Sequence, residues 1–412
     1  MEVERRLALF VPLVISLFAM LPNVSAAQSL SADPRTDARI HVGPFYLTPT
    51  LILRDLGVDS NVYNEAGEQK SDFTFDLAPH ADVWMPIGRR LLFTTSASLG
   101  VIYYQTYSRE RAIGGDLSAS AEILLKRISL SVGGSRGETR QRPNYEIDAR
   151  VRRDEQSVSV GANVRIFRKL SLGLSGRKFE TDFDQDAVFL GIQLRDTMNR
   201  RSTSATGTVR YQWTPYTTVL ARTEVTTEIF PFAPIRDSDS VRFTSGFEFK
   251  PRALISGTAS FGFRHMQTRH DEVPDFRGAV LAAQLSYTLL GSTRFTFSGN
   301  RDLAYSIDPL YPYFLIDSYG ISIRRQIAGK FDATSGLHRH QHDYQKLLQL
   351  GRPQPDRQEV IYNWSGSLGY RLGRDKRLGF GIQRWQRNSG AEQRRYKGLR
   401  VGTTITIGEQ SS

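Results

Sequence analysis

Three histidines, His338, His340 and His342, stand at every second position of the stretch HRHQHD. In an extended strand that spacing puts the three imidazoles on one face, and the parity of Phe331, Ala333 and Leu337 makes it the polar one. Imidazoles suit transition metals, but a tetrahedral centre needs ligands that converge, which one straight row does not supply. The row therefore reads as polar lining, and no metal is assigned. Asp184 with Asp186, and Asp237 with Asp239, have the oxygen chemistry for calcium, yet acids in polar loops are ordinarily just solvated. The many serines alternate with apolar residues, and none has the nucleophile and base context that a hydrolase needs. Cysteine is absent, which removes thiol catalysis, thiolate metal centres and disulfides together. These residues lead us to expect no enzyme activity and no cofactor.

Arginine is what the chain has in abundance. Of 54 basic residues nine are Lys, leaving 45 Arg, and the net charge is +12. The arginines are scattered rather than gathered into one arm. Arg165, Arg177, Arg210, Arg222, Arg242, Arg264, Arg324, Arg371 and Arg400 all fall on the polar side of their segments, with Glu122, Glu224, Glu228 and Glu248 as internal partners. Such a surplus suits either anionic lipid head groups or a water-filled lumen that favours anions. Nucleic acid is not expected, because the N-terminus carries an export signal.

That signal consists of Arg5 and Arg6, an apolar run from Leu7 to Leu21, and the small residues Val24, Ser25 and Ala26. We expect cleavage after Ala26; an uncleaved anchor would need a longer apolar core. Residues 1–26 are then a signal peptide, 27–40 a polar leader, 41–408 the folded body and 409–412 a tail.

The elements that position the arginines follow a period of two. Leu117, Ala119, Ala121 and Ile123 alternate with Ser118, Ser120 and Glu122; Val158, Val160, Ala162 and Val164 alternate with Ser159, Gly161, Asn163 and Arg165. The same rhythm runs from Val241 to Phe249, from Ile255 to Phe263 and from Leu399 to Ile407. Mean hydropathy is only −0.36. A helical membrane protein would need long apolar runs, whereas a barrel exposes alternate residues to lipid and to a wet lumen.

Short links recur at Pro86–Arg89, Lys126–Arg127, Phe167–Lys169, Thr214–Tyr216, Lys250–Arg252, Leu290–Ser292, Ala328–Lys330 and Gly373–Lys376. Longer polar connections lie between them, as at Asp55–Ser71, Gly137–Arg150, Asp182–Arg200, Phe230–Ser240, Asp302–Asp317 and His342–Arg357. Tight turns at one end and long loops at the other predict an all-β, antiparallel up-and-down transmembrane barrel of 18 strands, or 16 if the segment Gln185–Arg201 is read differently. A barrel this wide is not filled by its own strand side chains, and no separate plug sequence is visible, so a long loop is the candidate to fold inward. Tyr103, Tyr104, Tyr107, Tyr211, Trp213, Tyr216, Phe230, Tyr311, Tyr313, Tyr362 and Trp364 lie near strand ends, where aromatic girdles are expected. A secreted β-sandwich or propeller is the soluble alternative, and it would not sustain this rhythm of turns and loops.

The stretch GPFYLTPTLILRDLGVDSNVY, with Gly43, Phe45, Pro49, Asp59, Asn61 and Val62 at the marked positions, resembles the opening of the outer-membrane β-barrel porins found with exopolysaccharide biosynthesis systems. The resemblance continues as hairpin rhythm to about Ile407. It implies residence in the outer membrane of a Gram-negative cell and passage, or assisted secretion, of a polar or anionic solute or exopolysaccharide. The alternative is a non-conducting barrel that anchors a secretion complex. Expected partners are outer-membrane lipid and lipopolysaccharide, the barrel assembly machinery, and exopolysaccharide or its secretion proteins. The chain closes on IGEQSS rather than on an aromatic residue, so the assembly pattern rests on the strand Lys397–Ile407.

Overall fold

The structure, a computed structural model, describes residues 38–251, 253–348, 354–373 and 375–408. The expected signal peptide, most of the leader, and the tail lie outside these residues.

Eighteen long strands form the wall. Nine of them are β1 Phe45–Asp59, β2 Asp72–Ile87, β3 Leu91–Tyr104, β4 Ala112–Leu124, β5 Ile128–Gln141, β6 Val151–Arg165, β7 Leu170–Phe183, β8 Arg200–Gln212 and β9 Thr217–Ile229. The other nine are β10 Ser238–Phe249, β11 Ile255–Thr268, β12 Phe276–Leu289, β13 Thr293–Tyr305, β14 Tyr313–Ile327, β15 Phe331–Gln345, β16 Gln358–Arg371, β17 Lys376–Ser389 and β18 Tyr396–Ile407. Each pairs antiparallel with its sequence neighbours, and β1 pairs with β18, so the sheet closes without a free edge. A three-residue strand, Ile40–Val42, folds back on the start of β1. The segment Gln185–Arg201 supplies a two-residue hairpin, one helical turn at Leu194–Met198 and the first residues of β8, which settles the count at eighteen.

Alternation explains the wall. On β10 and β11, Phe243 lies opposite Phe263 and both are more than half exposed, while Arg242 lies opposite Arg264 on the other face. Val158, Leu174, Phe261, Ile321 and Leu368 are exposed in the same outward stripe. Apolar surface of that extent is unfavourable in water and favourable against hydrocarbon.

Turn chemistry fixes the register at the short-link end. Leu290 with Gly291, and Ala328 with Gly329, have successive positive φ values of 50° and 67°, and of 46° and 72°. Those are the two left-handed positions of a type I′ turn, whose twist matches the flanking strands. At the closing seam Asp55 has φ 55° and marks a register shift between Leu53 and Leu56. Gly57 follows, and a Cβ there would lie 2.0 Å from the Val401 carbonyl oxygen, so β1 and β18 approach this closely only with glycine at the site.

The aromatic expectation needs correction. Tyr211, Trp213, Tyr216, Tyr362 and Trp364 are exposed as a girdle requires, but Tyr104, Phe230, Tyr311 and Tyr313 are buried. Phe230 and Tyr313 pack with Met266, Val273, Phe276 and Tyr305, and Tyr311 packs with Phe314 and Tyr344, in apolar clusters at the long-loop end. Nearness to a strand end does not say whether a ring turns outward to lipid or inward beneath a loop. Three further connections, 105–111, 269–275 and 390–395, also join strands at that end.

Candidate functional site

The arginines singled out by parity stand on the inner face, and they divide into two kinds. Some are held by carboxylates: Arg242 donates to Asp302 (2.7 Å) and Glu224 (2.9 Å), and Arg264 donates to Asp302 (2.9 Å) and Ser240 (3.1 Å). Arg400 donates to Asp55 (2.9 Å) and Asp59 (2.8 Å), which makes the bulge at Asp55 part of the charge network. Arg371 lies 3.8 Å from Asp332, whose closer partner is Arg377 at 2.5 Å. By contrast Arg165, Arg177, Arg210 and Arg324 make no ion pair among the described residues. Arg177 rests over the Phe179 ring at 5.3 Å, and Glu248 lies within electrostatic reach of Arg210 and Arg222. Glu228 accepts from Ser202, and Glu122 sits on the inner face of β4 opposite Ser131. The acids Asp302, Asp55, Asp59 and Asp332 escape a reading of neighbouring sequence, because each pairs across a large separation; Asp55 and Arg400 are 345 residues apart.

Among the described residues, the loop 142–150, between β5 and β6, crosses the lumen. Eight strands lie between β6 and β15 either way round the ring of eighteen, so the loop reaches the opposite wall. There the Tyr145 ring packs on His340 of β15 with centroids 4.1 Å apart. Arg387 of β17 donates to the Tyr145 carbonyl (2.6 Å) and to the Asp148 carboxylate (2.5 Å), whose other oxygen accepts from Tyr396 (2.6 Å). Glu146 is fully buried and accepts from Ser306 Oγ (2.6 Å) and the Ile307 amide (3.1 Å), while Arg394 donates to its carbonyl (2.7 Å). Ile147 packs with Val151, Phe183, Ala187, Leu194, Met198 and Ile307, an apolar core built between three loops inside the barrel.

Burial sets the electrostatics of this loop. It raises the Glu146 carboxyl above the usual carboxylate range, against the opposing pull of Ser306 and Arg394, and it raises the Tyr145 phenol. It lowers the Arg142 guanidinium and brings Arg236, which donates to the Ser306 and Asp308 carbonyls, down to about 10.

The near end of the loop docks on the motif that carries the family resemblance. Asp59, Asn61 and Val62 are each completely buried. Asp59 accepts from the Asn61 amide (3.0 Å), and the Asn61 side chain donates to the Glu65 and Lys397 carbonyls (both 2.9 Å), tying the first loop to β18. The Val62 carbonyl then accepts from Arg142 (2.8 Å) and Arg150 (3.1 Å). The motif thus builds both the closing seam and the pier on which the crossing loop rests.

The histidine row lies on the inner face of β15, where it serves as a landing strip rather than a gathered ligand set. His338 occupies the space left by Gly320, His340 bonds Ser318 (2.8 Å), and His342 packs against Phe314, tilted, with ring centroids 4.7 Å apart. Among the described residues no three His, Asp or Glu side chains come together as metal ligands. Two adjoining hollows of about 520 and 510 Å³ open among the loops and share Tyr63, Asp148 and Phe189.

Among solved structures the chain is similar to OccK5 (OpdH) of Pseudomonas aeruginosa, at 12% identity and TM-score 0.45, covering 88% of this chain and 98% of that one. It is also similar to the siderophore receptor PirA of Pseudomonas aeruginosa, at 10% identity and TM-score 0.43 over 90% of this chain and 81% of that one. A bacterial polysaccharide outer membrane secretin matches at 7% identity and TM-score 0.35, over 89% and 99%. No curated protein matches the chain. A closed antiparallel barrel with a lipid-facing stripe is an outer-membrane architecture, and residues 33–409 match the family described as Putative beta-barrel porin 2, to which this chain belongs.

Proposed function

We propose that this barrel is a channel for polar and chiefly anionic solutes, segments of exopolysaccharide among them, and that the loop 142–150 sets its bore. The observation that carries the reading is the crossing itself: one loop spans an otherwise polar lumen and narrows it, while arginines without ion-pair partners line the wall below. Transport rather than catalysis is the proposed role. Outer-membrane lipid and lipopolysaccharide would surround the apolar stripe, and the barrel assembly machinery would insert it.

A second reading, a non-conducting barrel that anchors a secretion complex, draws support from the buried pairing of the loop's Asp148 with Arg387, which Glu359 in turn holds. Planar-bilayer recordings separate the two. The channel reading expects a small anion-preferring conductance that rises several-fold when residues 143–149 are replaced by a short Gly–Ser linker. Silence from both proteins supports the anchor, and cation preference removes the anionic solute.

A further inference from the structure

Across the middle of β5 to β8 the lumen-facing side chains are mostly small. In register, Ser131, Gly161, Ser175 and Thr206 form one rung, and Ser129, Asn163, Gly173 and Thr208 another. Five arginines face inward from these strands: Arg153, paired with Glu155 at 2.6 Å, and Arg200, over the Tyr305 ring at 5.8 Å, stand toward the loops, whereas Arg165, Arg177 and Arg210 interrupt the hydroxyl surface, and none of these last three has an ion-pair partner among the described residues. Arg165 and Arg210 both pair in register with Ser171, so their backbones stand about 10 Å apart on one rung near the tight turns. Arg177 lies six residues further along β7 from Ser171, about 20 Å nearer the loops.

Room is built into this wall. A Cβ on Gly173 would lie 2.6 Å from Asn163 Oδ1 and 3.5 Å from an Arg210 terminal nitrogen, so the missing side chain is the space these groups use. Arg210 Nε has no hydrogen-bond partner. The facing wall differs in kind: it carries the histidine row, and its arginines Arg371 and Arg377 gather about one carboxylate, Asp332.

From this juxtaposition we infer that the β5–β8 wall is a binding track for an extended acidic oligosaccharide. Hydroxyl side chains donate and accept, as sugar hydroxyls do, and a guanidinium takes a carboxylate through two parallel hydrogen bonds. A small anion can occupy only one end of the track. A chain of hydroxylated rings bearing acids can reach Arg210 and Arg177 at once, and the second contact is then intramolecular. The Phe179 ring beside Arg177 offers an apolar face at the upper end. This inference rests on the proposal that solute enters the lumen.

Calorimetric titration of the full chain in detergent with a hexameric oligogalacturonate tests it without requiring conduction. The hexamer should bind at least about ten-fold more tightly than monomeric galacturonate or neutral maltohexaose, the scale of one lost charge-assisted contact. Arg177→Gln and Arg210→Gln should each remove about that factor, and Arg324→Gln, on the facing wall, should change affinity less than about two-fold. Equal loss in all three variants would show that net charge, not the track, binds the ligand. Equal affinity for hexamer and monomer, or no binding by the wild type, also overturns the inference. Binding with the predicted pattern alongside silent bilayers would leave the track standing and remove the channel.

Discussion

Glu359 is the residue on which most of the loop latch converges. It is fully buried, accepts from Arg387, from Arg357 (3.1 Å) and from Ser389 Oγ (3.1 Å), and is ion-paired with Arg394 at 3.2 Å. The Arg387 side chain is likewise fully buried, so removing Glu359 would leave part of that charge uncompensated away from water. Glu359→Ala should therefore lower stability by about 3–5 kcal/mol, measured by urea unfolding of the protein in detergent micelles. A loss below about 1 kcal/mol would mean that Asp148 alone suffices for Arg387. At this scale the sequence was informative about facing and silent about pairing. Parity located the arginines on the polar side because side-chain direction in a strand is a local property. Which carboxylate each one meets depends on strands brought together by closure, as Arg242 and Asp302 show at a separation of 60 residues.

Among the elements, the loop 142–150 holds Glu146, a carboxyl that burial raises in pKa. Because Glu146 is raised above its unfolded value, its contribution to docking is fully present below the ordinary carboxylate range near about 4.3 and is lost as pH rises through the raised value. Acid should hold the loop down and alkali should loosen it. Limited proteolysis within 142–150 should accelerate with increasing pH, and Glu146→Gln should flatten that dependence. Cleavage that instead accelerates in acid would contradict the sign. The length and polarity of this connection were legible beforehand. Its inward course was not, because that course follows from Ile147 joining Leu194, Met198 and Ile307, which belong to two other loops. The tyrosines misassigned to girdles, Tyr311 and Tyr313, failed for the same reason: their burial depends on loops that pack over them.

For the molecule as a whole, the strand rhythm, eight tight turns and long loops sufficed to predict a closed barrel, because lipid outside and water inside impose the same period on every strand. The bulge at Asp55 and the motif Asp59, Asn61 and Val62 then decide where the cylinder joins itself. The central claim is that alternate residues face hydrocarbon and an aqueous interior. Since the chain contains no cysteine, single cysteines placed in turn from Val241 to Phe249 on β10 report this directly. In proteoliposomes a membrane-impermeant maleimide should label positions 242, 244 and 248 and spare 241, 243, 245 and 247; Gly246 is left in place, because a Cβ there would lie 2.1 Å from the Ala259 carbonyl oxygen. Labelling that does not alternate, or that favours the odd positions, would contradict the account.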